Sequence, residues 1–284
     1  MSHDLARSAQ RRGRRSALLT CLAVATALTT LQLVVSSSPS FARSPAAFNT
    51  NYPSGIRDTT EPSGVAPPAS SAMVGYRLRY VTEFTGTKLP PGWDVFTGVP
   101  GGDPWGRFAA SHVVVSNGVL ALNTWRDPAY QNRWIIGGLC QCGVARLYGA
   151  YFVRSRVTGA GPSEIQLLWP LTNQWPPEID FNETLGSIST TTASIHYSPA
   201  NKIASQFVHV NLARWHTWGV IWTASSVIYT VDGRVWGAYN VAANLPRVTM
   251  TLDFEQRALC ERHRECPTAP QSMYIDWVAE YTKG

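Results

Sequence analysis

Three carboxylates fall within six residues of the stretch WPPEIDFNETLG (175–186): Glu178, Asp180 and Glu183. The chain holds only 18 Asp and Glu among 284 residues, so this crowding does not follow from an acidic composition. A solvated acidic run would not also carry Ile179 and Phe181. If the segment is a strand, its side chains alternate: Glu178 and Asp180 share one face, while Ile179 and Phe181 point the other way into a core. Glu183 lies at an odd offset from Glu178, and one extra residue taken up as a β-bulge near Phe181-Asn182 restores the parity. Like charges on one face repel and raise one another's pKa, a cost to folding. Hydrolysis of a glycosidic bond with retained configuration needs such a pair, a carboxylate nucleophile and a protonated acid roughly 5–5.5 Å apart. Four strand steps separate Cα atoms by roughly 13 Å, and two Glu side chains leaning together close much of that gap. Asp180 between them would hydrogen-bond the nucleophile and help hold the acid's proton. The competing readings are a structural acidic cluster and a cation site with three oxygen ligands.

The elements that must position these acids are β-type. HVVVSNGVLALNTW has Asn117-Gly118 between two strand-like runs, and Asp232-Gly233 separates VIYTV from RVWGAY, both strong hairpin signals. YGAYFVRSRV and MYIDWVAEY are further strand-like runs, and no stretch outside the N-terminal leader sustains a spacing of 3.6 residues. Residues 76–284 therefore predict one all-β sandwich. Residues 43–75, rich in Pro, Ser, Ala and Thr without apolar periodicity, predict a disordered linker.

Residues 1–42 look like an export signal: an arginine cluster, an uncharged run from Ser16 to Val35, then small residues Ser40 and Ala42 suited to cleavage. An uncleaved membrane anchor is the alternative. Five Arg (7, 11, 12, 14 and 15) against Asp4 leave with the leader, so a formal charge of +6 falls to near +2. That removes the main support for nucleic-acid binding and predicts a secreted monomer, held at the cell surface only if the leader persists. Of five cysteines, Cys21 goes with the leader. The remaining four, Cys140, Cys142, Cys260 and Cys266, predict disulfides in an exported chain, with a four-thiolate metal site as the rival. Among three connectivities, the C-x-C spacing favours bridges joining the 140/142 segment to the 260/266 loop.

EIDFNE resembles the E-x-D-x-x-E signature of glycoside hydrolase family 16 in its bulged form. The resemblance runs in order through TEFTGTKLPPGWDVF, VVVSNGVLALNT, LYGAYFVRSRV, RWHTWGVIWTASSVIYTVDGRVW and MYIDWVAEY, covering about residues 80–282. It implies a β-jelly-roll of two curved antiparallel sheets with a polysaccharide groove along the concave one. It also implies Glu178 as nucleophile, Asp180 as assisting residue and Glu183 as acid/base. β-1,3- or mixed β-1,3/1,4-glucans are the expected substrates, with galactans, a transglycosylase and a non-catalytic carbohydrate binder as alternatives. GGLCQCGVARLYG departs from the family's usual segment.

Sugar rings present apolar faces, so some of the 11 tryptophans are expected to line the groove. Trp215, Trp218, Trp222 and Trp277 lie in strand-like runs and are assigned to the core. Trp175, Trp169, Trp134 and Trp105 are the candidate subsite walls. His196, after the motif, is expected to face the groove or to be satisfied by backbone. Gln256, with Glu255, is a candidate for sugar hydroxyls. Asp276 resembles the position at which several family members bind a structural calcium ion; strand-end capping is the other reading. No cofactor is expected for the reaction.

Overall fold

The computed structural model describes residues 51–262 and 265–284. The export signal and the first residues of the expected linker lie outside the described residues. Among the described residues, seven antiparallel strands form one sheet in the order Ile203–His209, Thr190–His196, Glu178–Glu183, Ser163–Pro170, Met250–Arg257, Gly138–Cys140, Asp94–Val95. The facing sheet runs Arg234–Tyr239, Val227–Val231, His216–Trp222, Gly149–Val157, Gln271–Lys283, Val119–Asp127, Val113–Ser116. Tyr76–Thr82 adds to it along Gln271–Lys283, and Arg133–Ile135 along Val119–Asp127. This is the all-β sandwich that the alternating runs predict, in the jelly-roll form that the resemblance implies.

Both hairpin signals act as expected. Asn117 and Gly118 have φ of 53° and 73°, and Asp232 and Gly233 have 47° and 78°. Two successive positive φ values match the right-handed twist of the strands they join, and Asn-Gly and Asp-Gly tolerate them best. Between the sheets lies a core that includes Ile179, Phe181, Leu168, Phe254, Ile195, Trp218 and Trp222. Ile179 and Phe181 are fully buried. Each contributes about 1.5–3 kcal/mol on burial, which offsets the repulsion on the opposite face of their strand. Trp218, Trp222 and Trp277 are core residues, as their positions predict.

Two expectations need correction. Residues 51–75 are not a free linker but dock on the facing sheet. The indole of Trp277 donates to Val65 O (2.7 Å), the Tyr281 hydroxyl donates to Ala69 O (2.9 Å), and Ile56–Arg57 pairs with Val65–Ala66. Met73, Tyr52 and Val65 also pack on Phe152, Ile221 and Trp277, and these three are too far apart in sequence to leave an apolar period to read. The disulfides are also local, Cys140–Cys142 and Cys260–Cys266, with no bridge between the two segments. The strand ends at Cys140 and the chain turns, with Val144 N–H on Gln141 O (2.9 Å), bringing the Cα atoms to 5.0 Å. Two fully extended steps would span about 6.7 Å, near the edge of disulfide reach. The 3-10 turn Cys260–Arg262 folds the second pair to a Cα separation of 4.6 Å.

Candidate active site

The motif strand lies between Ser163–Pro170 and Thr190–His196. On one side Asp180 pairs with Ser194 and Glu183 with Thr192, three residues stepping past two. On the other, Asp180 pairs with Leu167 and Asn182 with Gln166. This is the bulge the spacing requires, and it turns Glu178, Asp180 and Glu183 to one face.

Each acid has its own partner. The Trp175 indole donates to Glu178 Oε2 (2.8 Å). His196, opposite Glu178 in the ladder, has Nε2 3.2 Å from Asp180 Oδ2 and Nδ1 2.7 Å from Asn201 Oδ1. Both ring nitrogens thus face oxygen acceptors, which is satisfied only when both carry protons. Burial alone would push His196 down, but the Asp180 hydrogen bond and the charges of Asp180 and Glu178 raise it to about 9. The Thr192 hydroxyl donates to Glu183, reaching its backbone O at 3.1 Å and Oε2 at 3.4 Å.

Burial raises all three carboxyls. Asp180, nearly inaccessible, is held well above the ordinary range by burial and then by Glu178, against the His196 hydrogen bond. Glu183 is pushed to about 7 by burial, then by the charges of Glu265 and Glu178. Glu178 is raised by burial, while the His196 charge and the Trp175 N–H oppose that rise. The group thus keeps protons toward neutrality on buried carboxyls, Glu183 and Asp180 among them, beside Glu178, whose anion is met by an N–H and an imidazolium.

Of the predicted aromatic residues, Trp175 and Trp169 stand with the acids. The Trp175 ring centroid is 5.9 Å from that of His196. Trp169, two positions beyond Leu167 on the same face, donates to Asn173 Oδ1 (2.8 Å). Trp134 is not brought to the acids. It lies 5.1 Å under the Arg126 guanidinium, in a cleft with Trp125, Thr268 and Pro270 that none of the three acids lines. Trp105 is exposed on a loop.

Gln256 is a correction: it is fully buried on the opposite face, donating to Glu164 Oε1 (3.0 Å) and Leu122 O (3.1 Å) and accepting from Gly137 N–H (3.0 Å). Alternation along Met250–Arg257 sends Glu255 toward the acids and Gln256 away. The same alternation marks two residues that sequence reasoning missed. Asp253, in register with Leu167 and hence Asp180, takes the Thr251 hydroxyl at 2.7 Å. Arg257 binds Glu255 at 2.8 Å.

Glu178, Asp180 and His196 offer ligand atoms within 4.8 Å of one another, the geometry of a metal site. A doubly protonated His196 has no lone pair to give, so these residues suit proton chemistry better. Asp276 is buried and accepts Ser63 N–H (3.1 Å); burial raises its carboxyl against that bond and the Arg154 charge. Calcium takes six to eight oxygen ligands. Asp276 lies inside Gln271–Lys283 and not at a strand end, its Oδ1 is buried with no hydrogen-bond partner, and among the described residues it joins no group of three metal-capable His, Cys, Asp or Glu side chains.

Solved structures share this architecture. The catalytic domain of an endo-1,3-beta-glucanase (laminarinase) from Thermotoga petrophila aligns with a TM-score of 0.63 at 19% identity, over 73% of this chain and 98% of that one. The endo-beta-1,3-glucanase from Pyrococcus furiosus gives 0.62 at 18%, over 74% and 96%. SCLam, a non-specific endo-beta-1,3(4)-glucanase, gives 0.66 at 19%, over 86% and 100%. At such identities the likeness shows the fold. No curated protein sequence matches the chain. Residues 108–278, more than half of the chain and including all three acids, match the profile of glycosyl hydrolases family 16, and the chain belongs to that family.

Proposed function

We propose that this glycoside hydrolase cleaves internal bonds of a β-1,3- or mixed β-1,3/1,4-glucan by double displacement with retention. The observation that carries the mechanism is the bulged strand itself. It turns Glu178 and Glu183 to one face and gives them unlike surroundings, one carboxyl raised to about 7 and the other met by an N–H and a cation.

The Glu178 carboxylate attacks the anomeric carbon. The C–O bond breaks, its electron pair stays on the leaving oxygen, and that oxygen takes the proton of Glu183. Water then gives a proton to the Glu183 carboxylate and attacks the same carbon, releasing Glu178. A value near 7 suits a residue that must donate and then accept a proton around neutral pH. Asp180 lies between the two in sequence and on their face; with its oxygen on His196, it holds the imidazolium whose charge opposes the rise that burial gives Glu178. Trp175 fixes one oxygen of Glu178 and leaves the other to react. Glucan as substrate is supported by family membership together with the glucanase activities named for the solved structures of this fold. Action outside the cell, after removal of residues 1–42, is supported by the leader's pattern and by two disulfides, which persist in oxidising surroundings.

The test is reducing-sugar release from a panel of β-glucans and galactans, with Glu178→Gln and Glu183→Gln alongside. Activity on a β-glucan, lost in both variants, supports the reading. Binding without release, unchanged in the variants, would replace it with a non-catalytic carbohydrate binder.

A further inference from the structure

The row of residues that crosses the sheet at Asp180 continues past the acids to a second set of ligand-type side chains. Asp180 pairs with Leu167, Leu167 with Asp253, Asp253 with Cys140, and Cys140 with Asp94. Residues directly opposite one another in an antiparallel ladder point to the same face. Leu139, next to Cys140, lies in the core, so Cys140 stands on the carboxylate face. Three strand spacings of about 4.8 Å, roughly 14 Å in all, separate it from Asp180.

The turn after Cys140 folds Cys142 back beside it, and two glycines bring Asp94 to both. Gly143 N–H donates to Gly92 O (2.9 Å), and a Cβ on Gly143 would meet Gly92 Cα at 2.7 Å. Only glycine lets the turn lie so close to the chain that enters Asp94–Val95. As a result a carboxylate oxygen of Asp94 and the sulfurs of Cys140 and Cys142 lie within 4.8 Å of one another. Asp94 and Cys142 are exposed, and Cys140 is buried. Stability explains little of this bridge. Disulfide stabilisation grows with the length of chain closed, and Cys140–Cys142 spans a sequence separation of 2 against 6 for Cys260–Cys266. An exposed bridge is also open to an outside thiolate, which is the mark of labile and regulatory disulfides.

We infer that Asp94, Cys140 and Cys142 form a redox-gated metal site, closed as a disulfide and, once opened, taking one thiophilic divalent cation such as zinc. The inference is independent of the proposed function. A dithiol opens the gate by exchange. Its thiolate attacks the exposed Cys142 sulfur, the S–S bond breaks, and the bonding pair leaves on Cys140, which takes a proton. The second thiolate of the reductant then attacks its own mixed disulfide and releases Cys142. The dithiol ends oxidised to a disulfide, and the two cysteines end as thiols. With Cα atoms 5.0 Å apart, their sulfurs separate by side-chain rotation alone. Zinc displaces both thiol protons and takes sulfur at about 2.3 Å and carboxylate oxygen at about 2.0–2.2 Å. Tetrahedral donors at those lengths stand roughly 3.5–4 Å apart, inside the span these three atoms already have. The fourth position is left to water.

The test is zinc titration of the intact protein against a chromophoric chelator, before and after anaerobic reduction by a dithiol that is then removed. Reduction is stopped at two thiols per chain, and alkylation with mass spectrometry maps them. The reduced protein is expected to take one zinc about a hundredfold or more tightly than the oxidised form, with the metal shielding Cys140 and Cys142 from alkylation. Cobalt(II) in place of zinc should give a thiolate charge-transfer band, which carboxylate and imidazole ligands do not. Asp94→Asn should weaken binding about tenfold or more, a loss that even indirect partners of a metal cause. Cys142→Ser should remove the difference between the reduced and oxidised protein. Equal zinc affinity in the two redox forms, or Cys260–Cys266 opening first, overturns the gate. Zinc held in full by Asp94→Asn or Cys142→Ser overturns the site. Circular dichroism decides the remaining case: a Cys140–Cys142 bridge whose opening unfolds the sandwich is structural, and the inference falls.

Discussion

Glu183 and Glu164 occupy opposite faces of one sheet: Glu183 pairs with Ile165, the residue after Glu164. Burial is the first cause of the rise in both, to about 7 for Glu183 and about 8 for Glu164. Everything else about them differs. Glu164 lies inside the sandwich, where its Oε1 accepts from Gln256 and its Oε2 has no hydrogen-bond partner. Gln256 in turn binds Leu122 O on the facing sheet, so this pair ties the two sheets together. Glu183 is only partly covered and shares its face with Glu178, Asp180, Asp253 and Glu255 and with the cations His196 and Arg257. A raised pKa reports burial; a raised pKa with access to solvent and a second carboxyl at hand reports chemistry.

The largest expected effect separates these two acids directly. Glu178→Gln and Glu183→Gln should each lower kcat/KM about a thousandfold or more, since in the proposed mechanism each removes a whole reacting group. Glu164→Gln should stay within a few-fold of the parent, because a neutral amide replaces a carboxyl already protonated at neutral pH. A Glu164→Gln enzyme as inactive as Glu183→Gln would erase the distinction drawn between the faces.

The pH profile sharpens it. Glu183 must be protonated to act as acid, so kcat/KM should fall about tenfold per pH unit once pH exceeds about 7. The acidic limb belongs to the raised carboxyls that must lose a proton before attack, and because neighbouring acids share protons it reports the cluster. Glu164→Gln should leave both limbs in place. A profile flat to pH 9 would mean that another group supplies the proton.

How much of this was legible beforehand follows from the same alternation. The motif carried its own geometry: the parity of Glu178, Asp180 and Glu183 demanded a bulge, and Ile179 and Phe181 named the buried face. Asn117-Gly118 and Asp232-Gly233 announced two hairpins because their backbone needs are local. Gln256 was misassigned when it was grouped with Glu255, although adjacent strand residues point to opposite faces. Asp253, Glu255 and Arg257 were readable as one face of TLDFEQR. The local disulfides depend on chain reversals after Cys140 and Cys260, which spacing alone does not give. The docking of residues 51–75 rests on backbone carbonyls such as Val65 O, which leave no trace in residue type, and on apolar residues as scattered as Tyr52, Val65 and Met73.

Stability should also divide the two faces, more weakly. Glu164 has a folded pKa of about 8 against an ordinary 4.5, so its contribution is complete below about 4.5 and is lost as pH rises through 8. His196, raised to about 9 from 6.5, contributes fully below 6.5 and loses that contribution as pH rises through 9. The melting temperature should therefore fall between pH 5 and 8, and Glu164→Gln should make that fall shallower, the remainder coming from the other raised carboxyls, Glu183 among them, and from His196 above pH 6.5. Scanning calorimetry at several pH values checks both. Gln256→Leu should lower the melting temperature at every pH, because it strips a buried carboxyl, an amide and a carbonyl of their partners at about 1–3 kcal/mol per buried group. A pH-independent melting temperature in the parent would show that Glu164 titrates as a solvated acid.

The smallest effect concerns a hydrogen bond that the two acids have in common. Thr192 lowers Glu183 by donating to it, as Gln256 lowers Glu164. The Thr192 bond is long, 3.4 Å at Oε2, and its hydroxyl is shared with the backbone oxygen of Glu183. Thr192→Val should therefore move the alkaline limb of kcat/KM upward by only a fraction of a pH unit. The maximum rate should change little, because valine fills the same volume on a half-buried strand position. The melting temperature should stay nearly constant, unlike that of Gln256→Leu, because solvent reaches Glu183 and can replace the lost donor. An alkaline limb that moved downward instead would mean that Thr192 stabilises the protonated carboxyl, accepting its proton in place of donating one.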